Sequence, residues 1–229
     1  MRCGTTGARA SMSGQGFRPI SVRRTASPSV LMPPVFLRIP HVPTASALAL
    51  ALVLGGCGGT VPTTFDLTAL PGAARAGSAR RSLIVAEPVG LQPFEADRII
   101  VREPGGSLSF LGGGQWVDRL PRLIQARLIQ SLENARSLRA VSRPGDKIAA
   151  DTLLVTEIRA FDIAAGSREA VVDLSAKLVS EATGSVVAAR VFAARVPVAD
   201  LSPGASANGL DRALSLVLAD VVRWVGAGG

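Results

Sequence analysis

The side-chain chemistry available to this chain narrows quickly to one thiol. Cys57 closes the run Thr44-Ala-Ser-Ala-Leu-Ala-Leu-Ala-Leu-Val-Leu-Gly-Gly-Cys57, directly behind two glycines. A thiolate is a strong nucleophile, and a backbone of small residues beside it leaves room for an enzyme to approach, so Cys57 is a candidate acceptor for covalent modification. Other chemistries lack their parts. The sole histidine, His41, precedes Cys57, so the chain beyond Cys57 can build no histidine triad, no histidine zinc site and no imidazole acid–base pair. No G-x-x-x-x-G-K-[ST] segment occurs; the nearest fragment, Gly145-Asp146-Lys147-Ile148, lacks the earlier glycine and the hydroxyl. Gly112-Gly113-Gly114 precedes Gln115-Trp116 without a strand-to-helix fingerprint and reads as a flexible connection. Glu157, Asp162 and Asp173 could in principle pair as acid and base, but no motif fixes a separation between them. They read as solvated-face residues or cross-strand partners of Arg159, Arg168 and Lys177. The expectation is a protein that is not an enzyme, with no catalytic residue, no metal ligand and no cofactor-binding residue.

The apolar run before Cys57 holds about a dozen residues, or about 18 Å as a helix, against about 30 Å of hydrocarbon in a bilayer. A secretory signal core fits this length better than a membrane span. Leu54-Gly55-Gly56-Cys57 resembles the lipobox of bacterial lipoproteins, in which the cysteine receives a diacylglyceryl group, the leader is cleaved, and the new amino terminus receives a third acyl chain. We read residues 1–31, rich in Ser, Gly and Arg, as a disordered extension; Met32 is a candidate start, residues 32–56 the signal peptide, and 57–63 a lipidated tether.

That division changes the meaning of the charge. The whole chain carries +8, which would suit nucleic acid or an anionic surface. Six arginines and no acidic residue precede Cys57, so the remaining 173 residues keep 19 basic against 17 acidic groups, a net +2. The nucleic-acid reading loses its support. With Cys3 in the extension and Cys57 at the cleavage site, the folded part has no disulfide to rely on, and 173 residues suffice for one domain with its own core.

Residues 64–229 must then fold as that domain. Alternation predicts a strand over Thr64–Leu70, a buried strand over Ser82–Ala86, and a hairpin of Arg98–Arg102 with Ser107–Leu111 around Pro104-Gly105-Gly106. Helical spacing begins at Trp116, with Leu120, Leu123, Ile124, Leu128 and Leu132 on one face and Arg119, Arg122, Gln125 and Arg127 mostly off it. Pro121 restricts the regular helix to a start near Arg119, and it ends around Ala135. Arg136, Arg139 and Arg143 follow, placed to complement the helix C-terminus while remaining solvated. Thr152–Ile163, Glu169–Ser180 and Val186–Val198 read as an antiparallel meander with turns at Gly166-Ser167 and Thr183-Gly184-Ser185. Ala170, Val172, Leu174, Ala176 and Leu178 would form its apolar side, and Glu169, Asp173, Ser175 and Lys177 its solvated side. A second helix, capped by Ser206 or Asn208 and ending at Gly226, carries the stripe Leu210, Leu214, Val217, Val221 and Trp224. Trp116 and Trp224 fall on the helical stripes and are expected in the core. Two amphipathic helices packed on one face of a mostly antiparallel sheet make an α+β fold.

The order and spacing of these segments resemble the ABC-type transport auxiliary lipoprotein component family, lipoproteins that accompany mammalian-cell-entry (MCE) type lipid transporters. The resemblance runs from Cys57 and Phe65-Asp66-Leu67 through Ile84-Val85-Ala86-Glu87-Pro88, Asp97–Arg102, Trp116-x-x-x-Leu120-Pro121, Leu153–Phe161 and Ala189-Arg190-Val191-Phe192. It implies a periplasm-facing domain with no catalytic residues, and Cys57 as the only site carried over. It implies an MCE-domain protein, an inner-membrane permease and an ATPase as partners, moving phospholipid or another hydrophobic substrate between membranes. A homo-oligomer would suit a hexameric MCE partner. Gly58 after the cysteine, by likeness to enterobacterial sorting, points to the outer rather than the inner membrane. A structural envelope lipoprotein and a lipid-binding carrier are the competing readings.

Overall fold

A computed structural model describes residues 61–72 and 81–229. Its elements in chain order are β1 (Thr63–Phe65), β2 (Ser82–Val85), β3 (Val89–Gly90), a 3-10 turn (Gln92–Glu95), β4 (Arg98–Arg102), β5 (Leu108–Trp116), α1 (Leu120–Ala135), β6 (Ala140–Ser142), β7 (Thr152–Ala164), β8 (Glu169–Ser180), β9 (Val186–Pro197) and α2 (Pro203–Ala227). The fold is α+β, with one nine-stranded sheet and both helices packed on it. The described residues belong to a single compact unit.

β7 is the trunk of the sheet. One of its edges pairs antiparallel with β8 along its whole length, from Thr152↔Ser180 to Ala164↔Glu169, and β8 pairs antiparallel with β9 in turn. Arg159 stands unpaired where the register slips between Ile158 and Ala160, a bulge that bends and twists the trunk. The other edge is shared by three short parallel strands, with β2 at Thr152–Leu154, β3 at Glu157–Ile158 and β4 at Asp162–Ala164. β6 extends the sheet from β2, and β5 then β1 extend it from β4. Parallel pairing with β7 requires a crossover, and β5, α1 and β6 together supply it.

The meander and its apolar face stand as the alternation predicts: Ala170, Val172, Leu174, Ala176 and Leu178 are all buried. α2 covers that face with Leu210, Leu214, Val217, Val221 and Trp224, and the Trp224 ring meets Phe192 edge-on at 5.5 Å. The helix begins earlier than Ser206 or Asn208. Ser202 is the cap, its hydroxyl accepting from Ala205 N at 3.4 Å, and Pro203 opens the first turn where its missing N–H costs nothing. At the other end the helix passes Gly226 and closes at Ala227, with Gly228 in the left-handed region at φ 105. Gly209 lies inside the helix. A Cβ there would lie 2.3 Å from Val198 Cγ1, so a helix-breaking residue is required inside the helix by close packing.

α1 buries the expected Leu120, Leu123, Ile124, Leu128 and Leu132, and Ile129 with them. Each such side chain contributes about 1.5–3 kcal/mol by leaving water. Two polar-side residues of the helix are not solvated. Gln125 is buried and donates from Nε2 to Val85 O at 2.9 Å; Arg127, its side chain 14% exposed, is ion-paired with Asp66.

Three strand expectations are corrected. The first strand is Thr63–Phe65 rather than Thr64–Leu70. After it, the Asp66 carboxylate accepts from Leu67 N, Leu67 is buried, and Leu70 bonds across α1 through Ser131 Oγ and Asn134 Nδ2. Gly112-Gly113-Gly114 is not a flexible connection but the middle of β5, and a Cβ on Gly114 would lie 2.8 Å from Pro203 Cβ. Trp116 ends β5 instead of opening the helix; its ring is still in the core, edge-on to Phe161 at 5.9 Å.

Candidate functional site

Cys57, the one predicted site residue, lies outside the described residues, as do the extension, the signal peptide and residues 57–60 of the tether. What the structure gives is the place where the tether joins the fold. β1 runs parallel to β5 with Thr63 opposite Gly114, so the chain reaches Thr63 from the side of the sheet where β5 begins. Leu108 pairs with Arg102, and Arg102 with Ala164. The β4–β5 turn, the β7–β8 turn and the start of α2, whose Pro203 abuts Gly113 and Gly114, therefore share this tether end. The far end carries the β8–β9 turn and the start of β2, and Arg81 there donates to Val225 O at the C-terminus of α2.

Of the three carboxylates that could do acid–base work, two are held by arginines and the third stands exposed. Asp173 is paired with Arg159 at 3.5 Å across the bulge, as expected from cross-strand reasoning. Glu157 stays exposed. Asp162 departs from the expectation of a solvated group: it is 1% exposed and takes a two-pronged bond from Arg102, Nε to Oδ1 at 3.0 Å and Nη2 to Oδ2 at 2.7 Å. This fork is the geometry in which guanidinium binds carboxylate most firmly, and the hydrogen bonds that Arg102 donates to Asp162 raise the Arg102 pKa above its ordinary value against the opposing effect of burial. Arg168 and Lys177 are not the partners of Asp162. The true pair follows from the parallel register, in which Arg102 ends β4 opposite Ala164, two residues beyond Asp162 on β7, but parallel pairing of distant segments cannot be read from spacing.

Of the three arginines after α1, two bond through the backbone N–H and one through its guanidinium. Arg136 adopts the left-handed conformation at φ 52 and closes α1 with its N–H on Glu133 O. Arg139 Nε donates to Ser82 Oγ at 3.0 Å, and Arg143 N to Asp146 Oδ2 at 2.7 Å. A surface cleft of about 430 Å³ lies between Glu87, Arg122, Gln125, Arg143 and Pro144, and a shallow groove of about 390 Å³ crosses the outer sheet face by Arg159, Lys177 and Val191. Glu87 in that cleft is already bonded to Arg119 at 2.7 Å. Among the described residues there is no cluster of His, Cys, Asp and Glu that could hold a metal ion. No described helix is long and apolar enough to cross a membrane. At the tether end, the Ser202 hydroxyl and then its N–H lower the Asp200 pKa from its ordinary value.

Comparison with known proteins places this arrangement. An uncharacterized protein of Bradyrhizobium diazoefficiens is 31% identical over 144 residues, covering 62% of this chain and 39% of the relative, so the chain spans about two fifths of that relative's length. The crystal structure of a Xanthomonas campestris protein of the DUF330 family superposes with a TM-score of 0.66 at 25% identity, over 72% of this chain and 95% of that one. A second crystal structure, of an uncharacterized protein, shares the fold with a TM-score of 0.58 at 12% identity, over 72% and 99% of the two chains. The profile of the ABC-type transport auxiliary lipoprotein component matches residues 65–222, from β1 through nearly all of α2. With both sheet and helices inside that match, the chain belongs to the ABC-type transport auxiliary lipoprotein component family, whose lipoproteins work at the cell envelope.

Proposed function

We propose that this protein is a lipid-anchored accessory of an MCE-type transport system, held at the outer membrane by acyl chains on Cys57 and facing the periplasm. In this reading it is not an enzyme. It docks on an MCE-domain protein whose permease and ATPase supply the energy for moving phospholipid or another hydrophobic substrate. The observation that carries the reading is the family match across residues 65–222, joined to a leader that ends in Gly55-Gly56-Cys57. The anchor follows from chain arithmetic: one acyl chain binds a bilayer marginally, whereas each buried methylene adds about 0.8 kcal/mol, so two or three chains attach the domain permanently.

Two measurements test this. Mass spectrometry of the mature N-terminus should find Cys57 bearing a diacylglyceryl group and an N-acyl chain, and Cys57→Ala should accumulate the uncleaved precursor. Cross-linking of the tagged full-length lipoprotein in envelope membranes should capture an MCE-domain protein. Capture of peptidoglycan-associated proteins alone, with unchanged outer-membrane lipid composition in a deletion strain, would favour a structural lipoprotein instead.

A further inference from the structure

We propose that the tether end of the domain rests on the headgroup layer of the bilayer that holds the anchor, with Phe110, Leu108 and Leu201 as apolar contacts and Arg98 as the contact to lipid phosphate. This rests on acylation of Cys57. Six Cα steps separate Cys57 from Thr63, and at no more than about 3.6 Å each they hold Thr63 within about 22 Å of the lipidated sulfur. The trunk strand alone, thirteen residues long, spans about 43 Å. Thr63 stands opposite Gly114, close to the Arg98–Gln115 pair and so nearer the Ala164 end of the trunk than the Thr152 end, and the parallel register of β1 with β5 brings the chain in from that nearer end.

The surface at that end suits a lipid interface. Phe110 is 53% exposed, and Leu108 and Leu201 are each 38% exposed. β1 pairs only with Gly114–Trp116, so among the described residues β5 from Leu108 to Gly113 has no strand on its outer edge. The Arg98 guanidinium sits 5.3 Å from the centre of the Phe110 ring and joins none of the ion pairs among the described residues. An aromatic ring with a free guanidinium over it is amphipathic: the ring can enter the acyl boundary while the cation stays among phosphates. Toward the far end the comparable pair is closed to lipid: Arg190 lies over Phe192, but that ring is only 3% exposed, while Arg81 bonds Val225 O and Arg139 bonds Ser82 Oγ.

The test uses the mature acylated protein in phosphatidylglycerol–phosphatidylethanolamine vesicles that contain headgroup spin-labelled lipid. A thioether at Cys57 leaves an introduced cysteine as the reactive thiol. A fluorophore is placed on Ser107→Cys, in the exposed β4–β5 turn, or on Ala182→Cys, in the exposed β8–β9 turn at the far end. Quenching at position 107 should exceed that at 182 at least threefold, and adding Phe110→Ala or Arg98→Gln should reduce it at least twofold with an unchanged melting curve. Equal quenching at the two positions, or stronger quenching at 182, overturns the orientation while leaving the anchor intact. Protein that does not float with the vesicles overturns the anchor and the orientation with it.

Discussion

Along one edge of β7, β8 runs antiparallel for the full length of the trunk and is joined to it by a four-residue turn; along the other, β2, β3 and β4 take a few residues each and arrive in parallel from distant parts of the chain. The first edge is held by a continuous ladder and by the apolar face that α2 covers. The second is stitched by side chains reaching backbone. Asp151 Oδ2 accepts from Ser82 N at 2.6 Å, Gln125 Nε2 donates to Val85 O at 2.9 Å, Glu95 Oε1 accepts from Gly90 N at 3.3 Å, and Arg102 forks onto Asp162. Strands of two to five residues are too short to order themselves. Each needs a polar fastening that a long hairpin does without. Polar substitutions should therefore be costly on the parallel edge, and packing substitutions on the antiparallel one.

The largest effect is expected at the fork. Arg102→Leu leaves the Asp162 carboxylate, 1% exposed, without its counter-charge; breaking a fully buried pair from one side costs about 3–5 kcal/mol, and with the Arg102 side chain 38% exposed the loss falls at or below the lower end of that range, about 2–3 kcal/mol. Urea unfolding of the purified domain measures this. Adding Asp162→Val should recover most of the loss, because the desolvated charge is then gone as well. A single mutant as stable as the parent would show that β4 is held by packing alone, and the contrast between the edges would fail.

On the antiparallel side the sensitive point is Gly209. Its place against Val198 and Ala170 leaves no room for a methyl group, so Gly209→Ala should lose about 1–3 kcal/mol through overpacking, although alanine ordinarily favours a helix by about 1 kcal/mol. Val198→Ala in the same chain should restore stability, since the atom nearest the new Cβ belongs to Val198. Thermal unfolding that ranks the double mutant below both singles would place the strain elsewhere.

This contrast also explains what could be read from the sequence. The meander, its buried face and the stripes of both helices were legible because period two and period 3.6 are local, and a hairpin brings neighbours in sequence together. β3 and β6, two and three residues long, have no period to display; they exist because β7 and β2 offer an open edge. Gly114 and Gly209 mimic a loop and a helix break, yet each is a glycine because another backbone or side chain lies against it. Asp162 looked like a solvated residue because its partner comes from a strand 60 residues earlier. For the site, the thiol and its leader are a motif of the sequence alone, since they lie outside the described residues. The apolar tether end was not legible, since Ser107–Leu111 reads only as one arm of a hairpin and the exposure of Phe110 follows from how β5 pairs.

The smallest effect is the sharpest test of the stitched edge. Gln125 sits on a helix at a position that pattern assigns to the polar side, but it is buried, and its amide orientation is fixed because only Nε2 can donate to Val85 O. Gln125→Met keeps the length and apolar stem of the side chain and removes the donor, at a global cost of about 1 kcal/mol. Where the loss appears matters more than its size. Val85 ends β2, next to the Leu154 register position on the trunk, so weakening this bond should free the short strand before it disturbs the long ones. Amide hydrogen exchange should therefore accelerate in β2 and β6 while β8 keeps its protection. Uniform acceleration across all strands would mean that the two edges of β7 open as one unit, and that the fastenings on the parallel side stabilise the whole sheet rather than their own strands.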